Sequence, residues 1–250
     1  GCSAIVTAAA ALVRFATFVT ASSNDAVIET SLDEVDQSRP PPQQHQDRNP
    51  MPDLSSFPVT HRWPPFHPDR LQLYAAPTPN GVKVSIMLEE TGLAYEPHWV
   101  DIANNEAKDP AFVSLNPNGR IPAIIDPWGP DGKPIALWES GAILLYLADK
   151  TGRFISSAPA ERYETLSWVF FQMSAIGPMF GQLGVFLRGP GKDYEDKRPR
   201  QRFVDEAKRL LGVLDRRLEG RDWIIDEYSI ADIATLGWVN ALVGTYDAGD

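Results

Sequence analysis

The stretch from Asn116 to Gly141 most narrows what this chain can fold into. It reads Asn116-Pro117-Asn118-Gly119-Arg120-Ile121-Pro122-Ala123-Ile124-Ile125, then a Pro/Gly-rich turn, then Ala136-Leu137-Trp138-Glu139-Ser140-Gly141. A polar turn thus delivers an Ile-Pro pair straight into the apolar run Ala123 to Ile125. Proline has no N–H to give a sheet ladder, so Pro122 belongs at a strand start, on an edge, or in a cis peptide. The second half predicts a short strand ending in Glu139-Ser140, followed by a helix through the apolar segment Ala142 to Leu147. Ser140 is a natural N-cap there, and a helix N-terminus turns free N–H groups toward an anion. A proline at a strand start beside such a helix end is a way to hold a small peptide by its backbone.

Upstream, Leu71-Gln72-Leu73-Tyr74 alternates like a strand. The turn Ala75-Ala76-Pro77 leads to a helix predicted from Pro79 to Thr91, with Thr78 as N-cap, Pro79 at the first helical position and Gly92 as terminator. Val84, Met87, Leu88 and Thr91 form its apolar stripe. His98 to Ile102 reads as a second strand and Lys108 to Leu115 as a short helix before the central stretch.

These residues resemble the N-terminal domain of glutathione S-transferases. With Tyr74-Ala75-Ala76-Pro77-Thr78-Pro79-Asn80-Gly81 included, the resemblance narrows to the nu class, the bacterial disulfide-bond reductases, and to their fungal relatives, which include the prion-forming nitrogen regulator of yeast. It is nearly continuous from Leu71 to Gly152 and traceable to about Val243. The Thr-Pro-Asn-Gly run, Asn-Gly-Arg-Ile-Pro and Glu-Ser-Gly are specific together and weak singly. The implied fold is α/β plus all-α: a thioredoxin-like domain over residues 71–152, a linker over 153–162, and a helical C-terminal domain over 163–250.

In that helical part a long helix is predicted from Pro159 through Trp168 and Phe171, kinked or broken at Gly177-Pro178. A glycine-rich loop from Gly181 to Gly191 follows, then a helix bearing Phe203, Ala207, Leu210, Leu214 and Leu218 at helical spacing. Ser229 and Asp232 form a capping box, with Tyr228 and Ile233 placed for a hydrophobic staple. Relatives continue through further helices beyond Asp250. The helical domain therefore reads as incomplete, with Ile233, Trp238 and Leu242 left on an uncovered face and the chain expected to be unstable.

Before the domains, residues 51–70 read as an extended lead-in. Residues 1–50 carry no core-forming pattern: 1–23 are apolar with one charge, Arg14, and 24–50 are acidic, then Pro/Gln-rich. They read either as a targeting remnant or as sequence foreign to the fold, with Met51 a plausible start. A chain starting there is expected to match the full one in melting temperature and activity.

The net charge of −10 argues against a general nucleic-acid or anionic-membrane surface. One cysteine, Cys2, excludes a Cys-x-x-Cys pair, so redox chemistry needs a thiol from a cosubstrate. His45, His61, His67 and His98 show no ligand spacing, and no metal is expected.

Glutathione presents a thiol and two carboxylates. The resemblance assigns the γ-glutamyl end to Ser140 and Glu139, the cysteinyl main chain to Ile121 before Pro122, and the glycyl carboxylate to Arg120. Read without it, Ser140 is as well a plain cap, Glu139 and Arg120 plain surface charges. Thr78 and Asn80, at a helix start, are the groups that would favour the thiolate; read alone they are a cap and a turn residue. Tyr74, the rival activator, is expected to be structural. Arg202 resembles an arginine that reaches glutathione from the helical domain. Ala107 stands where a glutamine often helps to bind the peptide, which puts affinity and a second glutathione in doubt. The implied function is thiolate attack on a disulfide, a peroxide or an electrophilic carbon, in a cytoplasmic homodimer, or a mitochondrial one if residues 1–23 are a transit remnant. The alternatives are a non-catalytic binding or regulatory protein of the same fold, or an inactive fragment.

Overall fold

The computed structural model describes residues 51–246, apart from the side chain of Thr245. The expectations for residues 1–50 lie outside the described residues. Compactness divides the described chain into a sheet unit, residues 51–77 with 88–138, and a helical unit, residues 78–87 with 139–246.

The sheet unit is built on four strands, β1 (Leu71–Ala75), β2 (Tyr95–Trp99), β3 (Ala123–Asp126) and β4 (Ile135–Trp138), in the order β2-β1-β3-β4. β1 runs parallel to β2 and antiparallel to β3, and β4 is antiparallel to β3. Every residue of β1 and β3 is buried. β2 lies earlier than the reading of His98 to Ile102: Pro97 sits inside it, opposite Leu73, and Ile102 is exposed in a turn. Proline argues against a strand where its missing N–H would face a neighbouring strand, and β2 is an edge with one side unpaired.

Residues 51–70 are not merely extended. They contain a short helix, α1 (Val59–Arg62), and bury Leu54 and Val59 in one core with Tyr74, Val100, Ala107, Phe112, Leu115, Ala123 and Ile125. Trp63 meets Tyr74 and Phe112 edge-on, with ring centroids 6.2 and 6.3 Å apart, and donates to the Trp99 carbonyl at 3.0 Å. The buried Glu96 carboxylate accepts from the N–H groups of Phe66 and His67 at 2.8 and 2.7 Å, tying the segment to β2. Burial holds the neighbouring His98 below the usual histidine range, against the pull of Glu96.

Helix α2 (Pro79–Thr91) starts and stops where its caps predict. The Gly81 N–H donates to Thr78 Oγ1 at 3.2 Å, and Gly92 follows the last turn with φ +72°. Val84, Met87 and Leu88 are buried and Thr91 partly so, but Lys83, Ser85 and Ile86 are buried too. The helix is enclosed on more than its apolar stripe. A 3-10 turn (Glu106–Lys108) precedes α3 (Pro110–Leu115), which Asp109 caps through the Ala111 N–H at 2.8 Å.

In the helical unit α4 (Ser140–Thr151) closes on Gly152, at φ +64°. The long helix does not break at Gly177-Pro178. α5 (Pro159–Phe171) passes through a π turn (Gln172–Ile176) into α6 (Gly177–Leu187). The π turn restarts the ladder, so Pro178 falls at the first positions of the new segment, where its missing N–H is tolerated. Gly181 is therefore helical, and the loop is confined to residues 188–197.

α7 (Arg198–Leu218) packs on α6. It buries Ala207, Leu210 and Leu214, while Phe203 stacks on Phe186 at 5.6 Å and Leu218 is exposed. α8 (Ile230–Asn240) opens on the predicted capping box of Ser229 and Asp232. Tyr228 packs on Phe154 and Trp223, at 5.6 and 4.9 Å. α8 lies against α4, α5 and the π turn, so the face expected to be bare is covered: Ile233 and Leu242 are buried and Trp238 is half-buried.

Candidate functional site

Two helix starts in the helical unit hold four of the candidate residues: Thr78 and Asn80 at one, Glu139 and Ser140 at the other. At the first, Thr78 is occupied as the N-cap of α2 and Asn80 follows in the same turn, half-buried. Asn80 Oδ1 accepts a hydrogen bond from Trp238 Nε1 at 2.9 Å, across 158 residues of chain. The contact is set by Gly237, where a Cβ would stand 2.6 Å from the Pro79 carbonyl oxygen. Only glycine lets the two backbones approach so closely.

At the second start, Ser140 is the first helical residue of α4, not its cap. The cap position is Glu139, held at φ +69° with no side-chain capping bond. A non-glycine residue there costs on the order of 1–3 kcal/mol and is found where surrounding structure imposes it. Ser140 is 2% exposed, and its hydroxyl faces a neighbour rather than its own helix. Lys83 Nζ donates to Ser140 Oγ at 3.3 Å, to Gln172 Oε1 at 2.7 Å and to Met173 Sδ at 3.6 Å.

Lys83 is the functional candidate that sequence reasoning missed. It lies three residues after Asn80, hence on the same helical face, and its side chain is 1% exposed. All three of its hydrogen-bond partners are neutral. Burial pushes its ammonium down to about 7, and the nearby Glu139 carboxylate opposes that shift. The signal available in the sequence was a lysine inside the largely apolar stretch Val82 to Leu88, where Ser85 is the one other polar residue.

The π turn supplies the other half of this cluster. A Cβ on Gly141 would stand 3.0 Å from Met173 Cγ, so the start of α4 rests on that turn. Gln172 is fully buried, and its Nε2 has no hydrogen-bond partner. π turns recur at functional positions because they re-aim side chains out of helical register.

Arg202 is exposed on the second turn of α7 and forms no hydrogen bond or ion pair with Asn80, Glu139 or Ser140. Its charge instead helps to lower the Glu206 carboxyl, whose main partner is Arg209.

The sheet unit holds the remaining candidates. The Ile121–Pro122 bond is cis, with Ile121 half-buried on the core and Pro122 buried. The turn before it is organised by the buried Asn116. Its amide donates to the Arg120 carbonyl, its side-chain oxygen accepts from the Asn118 N–H at 3.0 Å, and its main-chain carbonyl accepts from the Gly119 N–H at 2.8 Å. The Arg120 side chain is exposed. Ala107 is a core residue, its carbonyl 2.9 Å from where a Cβ on Gly119 would sit. Tyr74 is fully buried and stacks on His98 at 4.6 Å, its hydroxyl without a partner. Burial pushes that hydroxyl well above the ordinary tyrosine range. Among the described residues no cluster of metal-ligating side chains occurs.

Comparison with known proteins identifies the family. Residues 69–149 match the family model of the glutathione S-transferase N-terminal domain. The disulfide-bond oxidoreductase YfcG of Escherichia coli (strain K12) is 46% identical over 173 residues, which are 68% of this chain and 80% of that protein. The chain belongs to the glutathione S-transferase family. Among solved structures, a glutathione transferase from Burkholderia graminis with two glutathione molecules bound per subunit is 66% identical, with a TM-score of 0.79 over 81% of this chain and 85% of that one. A glutathione transferase from Pseudomonas putida, with one glutathione disulfide bound per subunit, is 62% identical, with a TM-score of 0.78 over 78% and 85%.

Proposed function

We propose that this glutathione S-transferase family member uses glutathione to reduce disulfides. The observation that carries the reading is Lys83, a buried cation with only neutral partners, placed against Ser140 at a helix start whose first N–H groups no side chain caps. A buried ammonium beside uncapped helix N–H groups suits a hydrogen-bonding anion. A carboxylate there accepts from Ser140 and the free N–H groups, and it stabilises the ammonium that burial disfavours. The γ-glutamyl carboxylate of glutathione fits, with the exposed Glu139 acceptor beside it for the α-amino group. Asn80, on the same face of α2 as Lys83, is assigned to the thiol.

In the proposed reaction the glutathione thiolate attacks one sulfur of a disulfide. A new S–S bond forms, the old one breaks, and the other sulfur leaves as a thiolate that takes up a proton. A second glutathione thiolate attacks the mixed disulfide, releasing the second thiol and glutathione disulfide. The YfcG relative is named for disulfide chemistry, and the two solved neighbours hold two glutathiones or their disulfide, which supports this order. Peroxides and electrophilic carbon are proposed as further acceptors, a homodimer as the working assembly, and the cytoplasm, a reducing compartment, as its place.

The test is glutathione titration calorimetry beside turnover of 2-hydroxyethyl disulfide. Ser140→Ala is expected to weaken glutathione binding about ten- to hundredfold, the worth of one charge-assisted bond. Unchanged affinity overturns the site, and tight binding without turnover of any acceptor makes the protein a glutathione-binding module.

A further inference from the structure

Asn80 is not oriented by its own helix. Its carbonyl oxygen is taken by the indole N–H of Trp238 at 2.9 Å. An indole N–H only donates, so the atom it meets has to be the amide oxygen and not the nitrogen. An asparagine able to flip presents oxygen and NH2 in turn to whatever approaches. A thiolate is bonded by the NH2 end and repelled by the oxygen. We propose that Trp238 is a positioning residue for thiol activation, clamping the Asn80 carbonyl so that the amide NH2 is the end left to donate to the glutathione sulfur. This rests on the assignment of Asn80 in the proposed function.

The seat of the indole is built for the purpose. Gly237 brings the α8 backbone onto Pro79, so the next residue of α8 falls beside the next residue of α2. On its other side the ring lies over Gly177 and Gly181 of α6. A Cβ on Gly177 would stand 3.2 Å from Trp238 Nε1, and one on Gly181 would stand 3.2 Å from Cη2. Residues four apart share a helix face, so both ends of the indole rest on one glycine-lined surface. The ring is thereby fixed along its length, with the N–H end aimed at Asn80. A histidine or glutamine at this place both donates and accepts, and so leaves the amide orientation undecided.

The experiment compares Trp238→Phe, Asn80→Ala and the double variant in the full chain. The readouts are the pKa of enzyme-bound glutathione, from thiolate ultraviolet absorbance, and the split of kcat and KM with 2-hydroxyethyl disulfide. Trp238→Phe keeps an aromatic ring on the glycine surface and removes the donor, together with part of the indole's bulk. It is expected to raise the bound thiol pKa by about one unit and to lower kcat about tenfold, with KM for glutathione changed less than about threefold. In the Asn80→Ala background it is expected to move neither quantity further. Should Trp238→Phe fail to fold, 3-benzothienylalanine placed at residue 238 replaces the N–H by sulfur at constant shape, and the same shifts are expected. If Asn80→Ala raises the thiol pKa while the donor-less ring does not, Trp238 is packing only and the proposal is overturned with the site intact. If Asn80→Ala itself leaves the thiol pKa unchanged, the Asn80 assignment fails and takes the proposal with it, whereas the Ser140 binding test still stands or falls separately.

Discussion

Lys83 gives the protein a pH dependence of its own. Its pKa is about 7 in the folded chain against 10.5 ordinarily. Between those values the unfolded chain keeps a proton that the folded chain has released, so stability rises with pH across the interval. The burial penalty is complete below pH 7 and absent above the ordinary value, and it amounts to a few kcal/mol. Urea unfolding at pH 7 and pH 9 should show this gain in the native chain and lose it in Lys83→Met. Tyr74→Phe should leave disulfide turnover unchanged and stability equal or slightly raised, because it deletes a buried hydroxyl that has no partner. Thr78→Val should cost about 1 kcal/mol in cap stability, read as a shift of the urea midpoint. The caps at Thr78 and Ser229 were legible because a cap is a local event. Lys83 was not, because nothing within a turn of it records that Gln172 and Met173 lie alongside.

At the scale of elements, the lead-in is the segment that local reasoning undervalued. Its prolines erase periodicity, yet Leu54 and Val59 enter the sheet core and Glu96 holds the backbone of Phe66 and His67. Leu54→Ala should cost about 2–5 kcal/mol, as for a buried leucine. Phe66→Ala, at a side chain 88% exposed, should stay within about 0.5 kcal/mol. Urea midpoints of the two variants separate a core segment from a surface one. β2 taught a similar lesson: it begins earlier than the strand read at His98 to Ile102 and contains Pro97, which the edge position of the strand makes harmless. The π turn was half legible. Gly177-Pro178 marked an interruption, but the replacement of a break by a wider turn depends on what Gln172 and Met173 reach.

At the scale of the whole molecule, sedimentation velocity at micromolar concentration should give a homodimer, and a monomer alone would count against the proposed assembly. Gly237→Ala should lower the melting temperature, since a methyl group there meets the Pro79 carbonyl at 2.6 Å and one helix has to shift. By itself the sequence determined the order of the four strands and of most helices, the caps at Thr78 and Ser229, the Ile121–Pro122 turn, and the candidates Thr78, Asn80 and Ser140. These are patterns within a few residues, where propensity, periodicity and capping act. Tertiary structure alone decided which residues stand behind the candidates. Trp238 meets Asn80 across 158 residues, and Lys83 becomes a buried cation only because α4 and the π turn enclose it. Burial and long-range hydrogen bonds are properties of the assembled packing, and no local spacing encodes them.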